Sequence, residues 1–173
     1  MDRKTKIALG GGCHWCTEAV FQSLKGVEKV EQGYVASVGE NHEFSEAVVV
    51  HFDAEEITLK TLIEIHLHTH KSNSNHSMRN KYRAAVYTIS NEQENNAKEI
   101  IESIQKDFGN KIITKVFPFL EFKASREAIQ NYYQKNPNKP FCETFINPKL
   151  QLLLDKFSNY VDEKKVEHLI ISI

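Results

Sequence analysis

The pattern of apolar and polar positions along the chain predicts a domain that mixes strands and helices. Apolar runs bounded by glycine or polar residues indicate strands, and apolar residues that recur every three or four positions indicate helices. The predicted strands cover residues 6–9, 27–37, 45–52, 83–89 and one or two segments within 112–122. The predicted helices cover residues 14–24, 59–67, 91–109 and 125–133, and a last helix begins at residue 147. The apolar run Ala47-Val48-Val49-Val50 is typical of a central strand.

The order of these elements favours an α+β fold with a ferredoxin-like, split βαβ core. In such a two-layer sandwich, helices cover one face of a mixed or antiparallel sheet. The length of 173 residues suits one hydrophobic core. We therefore predict a single domain over residues 1–173, with the core in about 5–155 and a charged C-terminal tail in about 156–173.

The balance of charged residues argues against some classes of binding partner. Lys and Arg together number 22 against 23 for Asp and Glu, so no excess of charge favours nucleic acid or an anionic membrane. The polar N-terminus and the lack of a long apolar run predict a cytoplasmic protein. Three cysteines without an export signal argue against a structural disulfide framework, and they leave metal binding, redox chemistry or simple burial.

Two of the cysteines stand at the start of a predicted helix. The motif Cys13-His14-Trp15-Cys16 follows the glycines at positions 10–12, which end the first predicted strand. Backbone N–H groups without partners and the helix dipole stabilise a thiolate at such a position. The sequence therefore predicts that Cys13 is a reactive nucleophile.

Other interpretations of the cysteines stay open at this point. Cys13 and Cys16 could be buried hydrophobic residues, and a zinc site would need Cys142 and a distant histidine in addition. A glutaredoxin-like disulfide oxidoreductase also carries C-x-x-C after its first strand, and Pro118 could face the motif. If the helix that begins at residue 59 continues to residue 70, His66 and His70 share one face and could bind a metal, but no nearby acid or cysteine completes a ligand set, so we expect no metal.

Several further segments resemble one family. Residues 11–19, Gly-Gly-Cys-His-Trp-Cys-Thr-Glu-Ala, are similar to the G-G-C-F-W-C-x-E-A signature of the A-type peptide methionine sulfoxide reductases. Residues 45–48 resemble the family's H-A-E-A-V segment, residues 81–83 its Q-Y-R segment, and residues 131–142 its D-Y-Y-x-K-N-P-x-x-Y-C region. A glutaredoxin has no reason to show these blocks, which span residues 7 to about 149 in order.

The resemblance implies thiol-dependent reduction of methionine-S-sulfoxide to methionine in peptides and proteins, and it leaves the free amino acid open as a further substrate. Cys13 would attack the sulfur and become a sulfenic acid, Glu46 would supply a proton, and Tyr34 and Tyr82 would hydrogen-bond the sulfoxide oxygen. An intramolecular disulfide would follow, with Cys142 as the resolving thiol and Cys16 as the alternative. The resemblance implies no bound cofactor, and an external dithiol such as thioredoxin or dithiothreitol would reduce that disulfide again.

Substrate contacts and departures from the pattern follow from the same resemblance. Trp15 would form an aromatic wall for the substrate methyl group. His14 stands where the family usually has Phe, and Ser77 stands where it usually has an aspartate. The expected partners are oxidised proteins and thioredoxin, with the enzyme acting as a monomer. The two departures keep one more hypothesis open, that of a module which binds methionine sulfoxide without catalysis.

Overall fold

The computed structural model describes residues 3–70 and 83–166. Within these residues one sheet of six strands is flanked by α-helices and short helical turns. The strands are β1 Lys4–Gly10, β2 Val27–Ala36, β3 Ser45–Asp53, β4 Ala85–Thr88, β5 Lys115–Pro118 and β6 Glu121–Ala124. The helices are α1 His14–Gln22, α2 Leu59–Thr69, α3 Asn91–Ile104, α4 Tyr132–Lys135 and α5 Asn147–Lys156.

The sheet is mixed and has the strand order β5-β4-β1-β3-β2-β6. Every neighbouring pair is antiparallel except β4 and β5, which are parallel. The prediction of an α+β domain with a mixed sheet is confirmed. Strand β3 is central, as its apolar run indicated, because it pairs with β1 on one side and with β2 on the other.

The two edges of the sheet meet. Strands β5 and β6 lie at opposite edges, yet only Phe119 and Leu120 connect them. Three Cα–Cα steps reach about 11 Å, so the sheet must curl until its edges come together. Hydrogen bonds hold this closure: the Phe119 N–H donates to the Thr88 carbonyl over 2.8 Å, and the Leu120 N–H donates to the Ala36 carbonyl over 3.1 Å.

The two faces of the curled sheet carry separate apolar clusters. Helices α1, α2, α3 and α5 cover one face, where Phe21 of α1 and Ile63 of α2 are fully buried with Val50 of β3. Burial of each such side chain contributes roughly 1.5–3 kcal/mol to folding. A smaller cluster on the opposite face includes Val49 and Tyr87. The two clusters bury both faces of β1 and β3, and β1 leads through the glycine turn to the start of α1.

The predicted helix over residues 125–133 is wrong. The chain forms a single 3-10 turn at Glu127–Ile129 and then the four-residue helix α4. Between them Asn131 adopts a left-handed backbone with φ of 56°, which ends any continuous helix. The backbone N–H groups of Asn131 and Tyr132 donate to the carboxyl group of Glu18 on α1 instead of to helical carbonyls.

The first part of the predicted charged tail packs against the domain. After α5 the chain returns beside the end of α1, where the Lys25 N–H donates to the Tyr160 carbonyl and the Asp162 N–H donates to the Ser23 carbonyl, each over 2.8 Å. Val161 and Val166 are fully buried. No helix in the described part of the chain is both long and apolar enough to cross a bilayer.

Candidate active site

Cys13 caps the N-terminus of α1, at the end of the glycine turn that follows β1. Its carbonyl accepts the first helical hydrogen bonds, from the N–H groups of Cys16 and Thr17 over 3.1 Å each. In the turn, Gly11 has φ of 143°, and a Cβ there would lie 2.6 Å from the ring of His70. Only glycine fits both this backbone and this contact. The turn therefore fixes where the Cys13 side chain emerges.

The thiol of Cys13 is acidified by its surroundings. The Cys16 thiol donates a hydrogen bond to the Cys13 sulfur, and with the backbone N–H groups of Trp15 and Cys16 it lowers the pKa of Cys13 to about 7, against the opposing effects of burial and of the Glu46 charge. The same contact, together with burial, raises the pKa of Cys16. Near neutral pH the pair therefore holds one thiolate, on Cys13, and one thiol, on Cys16.

Alkylation of Cys13 by iodoacetamide is therefore expected to reach half its maximal rate near pH 7. Below that pH the rate should fall about tenfold per pH unit, because only the thiolate reacts. A Cys16→Ala variant loses the thiol donor, so its midpoint should move to higher pH. Peptide mapping by mass spectrometry measures both rates. The control is Cys142→Ala, which leaves the Cys16 donor in place, and an unchanged midpoint in Cys16→Ala would refute the assignment.

Glu46 brings a buried carboxyl group to the same place. It lies on β3 directly opposite Tyr34 of β2 in the sheet register, and it is 5% exposed. Its Oε1 atom accepts a 3.3 Å hydrogen bond from the backbone N–H of His14 and lies 3.2 Å from the His14 Nε2 atom. A carboxyl group thus contacts the residue that follows Cys13.

His14 is held between β2 and β3. Its Nδ1 atom lies 2.9 Å from the Gly33 carbonyl oxygen, and its ring meets the Tyr34 ring edge-on with 5.2 Å between the centroids. Gly33 is required where β2 pairs with β6, since a Cβ would come within 2.2 Å of the Lys123 carbonyl oxygen. The structure therefore brings four of the predicted site residues together: Cys13, His14, Tyr34 and Glu46.

Aromatic side chains form a partly exposed cluster beside this group. The Trp15 indole stacks on Tyr132 of α4, with centroids 4.2 Å apart and ring planes 13° apart. Phe141 meets the indole edge-on at 5.2 Å. The sequence predicted a substrate contact for Trp15 but no role for Tyr132 or Phe141. They come from a distant segment, and no periodic pattern linked them to the motif.

Glu18 explains how that distant segment is placed. This carboxyl group is 1% exposed, and it accepts hydrogen bonds from the Gln32 side chain and from the backbone N–H groups of Asn131 and Tyr132. Burial raises the pKa of Glu18, and the three donors oppose that rise. In the sequence, Glu18 stands out only as one residue of the 11–19 segment. The available signal was a carboxylate four residues after His14, on the buried face of a helix.

The two candidate resolving cysteines occupy different environments. Cys16 is in hydrogen-bond contact with Cys13. Cys142 is fully buried in the widened helical turn Cys142–Ile146, where its thiol donates to the Asn136 carbonyl over 3.5 Å. Burial raises the pKa of Cys142. All three cysteines are free thiols.

Two predicted site residues, Ser77 and Tyr82, lie outside the described residues. His66 of α2 is buried, and its ring lies 4.1 Å from that of His70, which packs against the glycine turn. Within residues 3–70 and 83–166, no three His, Cys, Asp or Glu side chains converge in a way that could hold a metal ion.

Comparisons with known proteins agree with this arrangement. The family model for peptide methionine sulfoxide reductase matches residues 5–161. A peptide methionine sulfoxide reductase MsrA of Trichodesmium erythraeum is 37% identical over 171 residues, covering 90% of this chain and 97% of the relative. The reduced form of Mxr1 from Saccharomyces cerevisiae superposes with a TM-score of 0.71 at 25% identity, covering 82% of this chain and 91% of Mxr1. Mxr1 in complex with Trx2 superposes with a TM-score of 0.61 at 24% identity, covering 75% and 84%.

A curled mixed sheet with an acidified cysteine at a helix start and a buried carboxyl group beside it defines a thiol-dependent reductase. The chain belongs to the peptide methionine sulfoxide reductase family. The prediction of an enzyme that reduces methionine sulfoxide is thereby confirmed.

Proposed function

We propose that the protein reduces the S epimer of methionine sulfoxide in peptides and proteins, with Cys13 as nucleophile and Glu46 as proton donor. The observation that carries this proposal is a cysteine with a pKa of about 7 whose next residue, His14, donates its backbone N–H to the buried carboxyl group of Glu46. A thiolate alone cannot expel the sulfoxide oxygen, which leaves only when it is protonated. Cys13 supplies the nucleophile that the reaction needs, and Glu46 supplies the proton.

In the proposed reaction, one oxygen atom moves from the substrate sulfur to the Cys13 sulfur. The Cys13 thiolate forms a bond to the sulfoxide sulfur while the oxygen takes a proton from Glu46. Transfer of the oxygen to the Cys13 sulfur then releases methionine and leaves a sulfenic acid, so the substrate sulfur is reduced and the enzyme sulfur is oxidised. Tyr34, packed edge-on to His14 and opposite Glu46, is suited to donate its phenolic hydrogen to the oxygen.

The substrate methyl group would rest against Trp15, whose indole is held in place by Tyr132 and Phe141. Roles for Tyr82 and Ser77 stay predictions of the family resemblance. Support for a role of this segment comes from Arg83, the residue after Tyr82, whose backbone N–H donates to the Ser45 hydroxyl over 2.7 Å, next to Glu46.

An assay with the two separated epimers of a methionine sulfoxide peptide, and with the free amino acid, tests the proposal. With dithiothreitol as reductant, the S epimer of the peptide is expected to be reduced and the R epimer to be left unchanged. Chromatography of the product peptide measures both rates. Binding of the S epimer without turnover would contradict the proposal and support the non-catalytic alternative.

For the second half of the cycle we propose that Cys142 condenses with the Cys13 sulfenic acid, with Cys16 as the alternative. Water is released and a disulfide forms. Cys142 is fully buried and its thiol donates to the Asn136 carbonyl, so disulfide formation must break that hydrogen bond. An external dithiol then restores the thiols. The structure of yeast Mxr1 with Trx2 supports thioredoxin as that reductant here.

Mass mapping of the protein after one equivalent of substrate is expected to find a Cys13–Cys142 disulfide. A Cys142→Ser variant should produce one methionine per enzyme and then stall with thioredoxin, because the first step needs only Cys13. Cys16→Ser is the matched variant, and it should continue to turn over. A Cys13–Cys16 disulfide together with full turnover of Cys142→Ser would reverse the two roles.

We also propose a more specific fold class, an oligomeric state and a cytoplasmic location. A ferredoxin-like, split βαβ core is supported by the order β4-β1-β3-β2, in which β3 lies between the mutually parallel strands β1 and β2. We further propose that the protein acts as a monomer. A cytoplasmic location would keep its three thiols reduced between turnovers.

A further inference from the structure

We propose that His14 is a positioning residue that shares one proton with Glu46 and so keeps the catalytic acid loaded at the pH where Cys13 is a thiolate. This inference rests on the proposed function of Glu46 as the proton donor. It concerns the position at which the chain departs from the family pattern, since His14 stands in place of the usual Phe.

The hydrogen bonds of the ring define where its protons lie. A carbonyl oxygen only accepts, so the 2.9 Å contact with Gly33 places a proton on the His14 Nδ1 atom. The Nε2 atom then faces Oε1 of Glu46 at 3.2 Å. A neutral Nε2 atom and a carboxylate oxygen are both acceptors, so this contact is favourable only with a proton between them. The proton sits on the carboxyl group or on the imidazole, and in either case the pair holds one.

Burial makes the loss of that proton costly. The two side chains are only 5% and 6% exposed, so water cannot compensate two acceptors that face each other. Groups that interact this closely gain and lose protons as a pair. Among the described residues, the elements that carry and face the pair also hold the titratable groups Cys13 and Glu18 on α1 and Tyr34 on β2. Glu18 is engaged by Gln32 and by the α4 backbone.

The shared proton resolves a conflict between the protonation states that the reaction requires of Cys13 and Glu46. Cys13 must be ionised and Glu46 must be protonated at the same pH, whereas a lone carboxyl group in water has ordinarily lost its proton well below neutrality. An imidazole that shares the proton retains it into the range where Cys13 is a thiolate. Glu46 passes this proton to the sulfoxide oxygen, and the pair takes up another from solvent before the next turnover.

The kinetic test is the pH profile of kcat/KM for the S sulfoxide peptide. His14→Gln keeps a hydrogen-bond partner for Glu46 that cannot titrate, and His14→Phe keeps a ring that can pack on Tyr34. In both variants the falling limb of the profile is expected to move to lower pH by about one unit, which lowers the rate on that limb about tenfold. His42→Gln is the matched control, because His42 is exposed and its Nδ1 atom also contacts a carbonyl oxygen. If the falling limb of both His14 variants lies at the same pH as that of His42→Gln, the proposal is overturned.

A second measurement does not depend on activity. Nitrogen-15 NMR of the His14 ring reports the pH at which Nε2 loses its share of the proton. That midpoint should be higher in the unmodified protein than in Glu46→Gln, whose amide has no proton to share. Equal midpoints would refute proton sharing even in an active enzyme. A higher midpoint in a protein that fails to reduce sulfoxides would leave the pair intact and refute only the proposed reaction.

Discussion

A Cys13→Ser variant is expected to lose methionine sulfoxide reduction, with the rate falling by at least about 10⁴-fold. The serine hydroxyl stays protonated at neutral pH, and it cannot carry the oxygen away as the sulfur does. The fold should survive, because serine is a favourable residue at a helix N-cap and differs from cysteine by one atom. The measurement is product formation from an S sulfoxide peptide with dithiothreitol, followed over many turnovers and in a single turnover.

The Cys142→Ser protein serves as the control for that experiment, since it should retain the first turnover. Circular dichroism of both variants would establish that they fold alike. Activity that survives in Cys13→Ser would rule out Cys13 as the nucleophile.

The second large effect is expected at Glu46. A Glu46→Gln variant should lower kcat by about 10²–10⁴-fold, the usual contribution of a general acid. Glutamine has nearly the same shape and can still accept the backbone N–H of His14. The pKa of Cys13 is set first by the Cys16 thiol, and the charge of Glu46 raises it. Glutamine carries no charge at any pH, so the variant holds at least as much Cys13 thiolate, and a slower reaction would not reflect a weaker nucleophile.

Two rates measured on the same protein separate these effects. Alkylation of Cys13 in Glu46→Gln should be as fast as in the unmodified enzyme or faster, while the rate of sulfoxide reduction should fall by about 10²–10⁴-fold. Glu43→Gln is the matched control, because Glu43 lies exposed in the loop before β3. Reduction as fast in Glu46→Gln as in Glu43→Gln would favour the glutaredoxin-like mechanism, in which Glu46 has no part.

Local patterns predicted the elements that local forces determine. The apolar run Ala47–Val50 indicated a central strand, and β3 is central. Thr58 and Ser90 stand directly before the predicted helices at 59–67 and 91–109, and the side chain of each caps its helix by accepting a hydrogen bond from the N–H group three residues later. In these cases the signal and the force that acts on it lie within one turn of the chain.

The prediction failed where distant groups outweighed local preference. Residues 125–133 were expected to form a helix, but the backbone at Asn131 and Tyr132 is bonded to Glu18, more than a hundred residues earlier. A buried carboxyl group satisfied by backbone donors offsets the loss of helical hydrogen bonds. No window of sequence around residue 131 contains that information.

The sequence alone determined the class of fold and the family, and it made Cys13 the candidate nucleophile, because a glycine turn before a helix and the C-x-x-C spacing act over a few residues. Only the tertiary structure placed the His14 ring against Glu46, across 32 positions, and the Trp15 indole against Tyr132 and Phe141. Those contacts depend on the register of β2 with β3 and on the anchoring of α4 by Glu18. The candidate nucleophile can therefore be predicted from a short segment of the chain, whereas the contact between His14 and Glu46 depends on strands that meet only after folding.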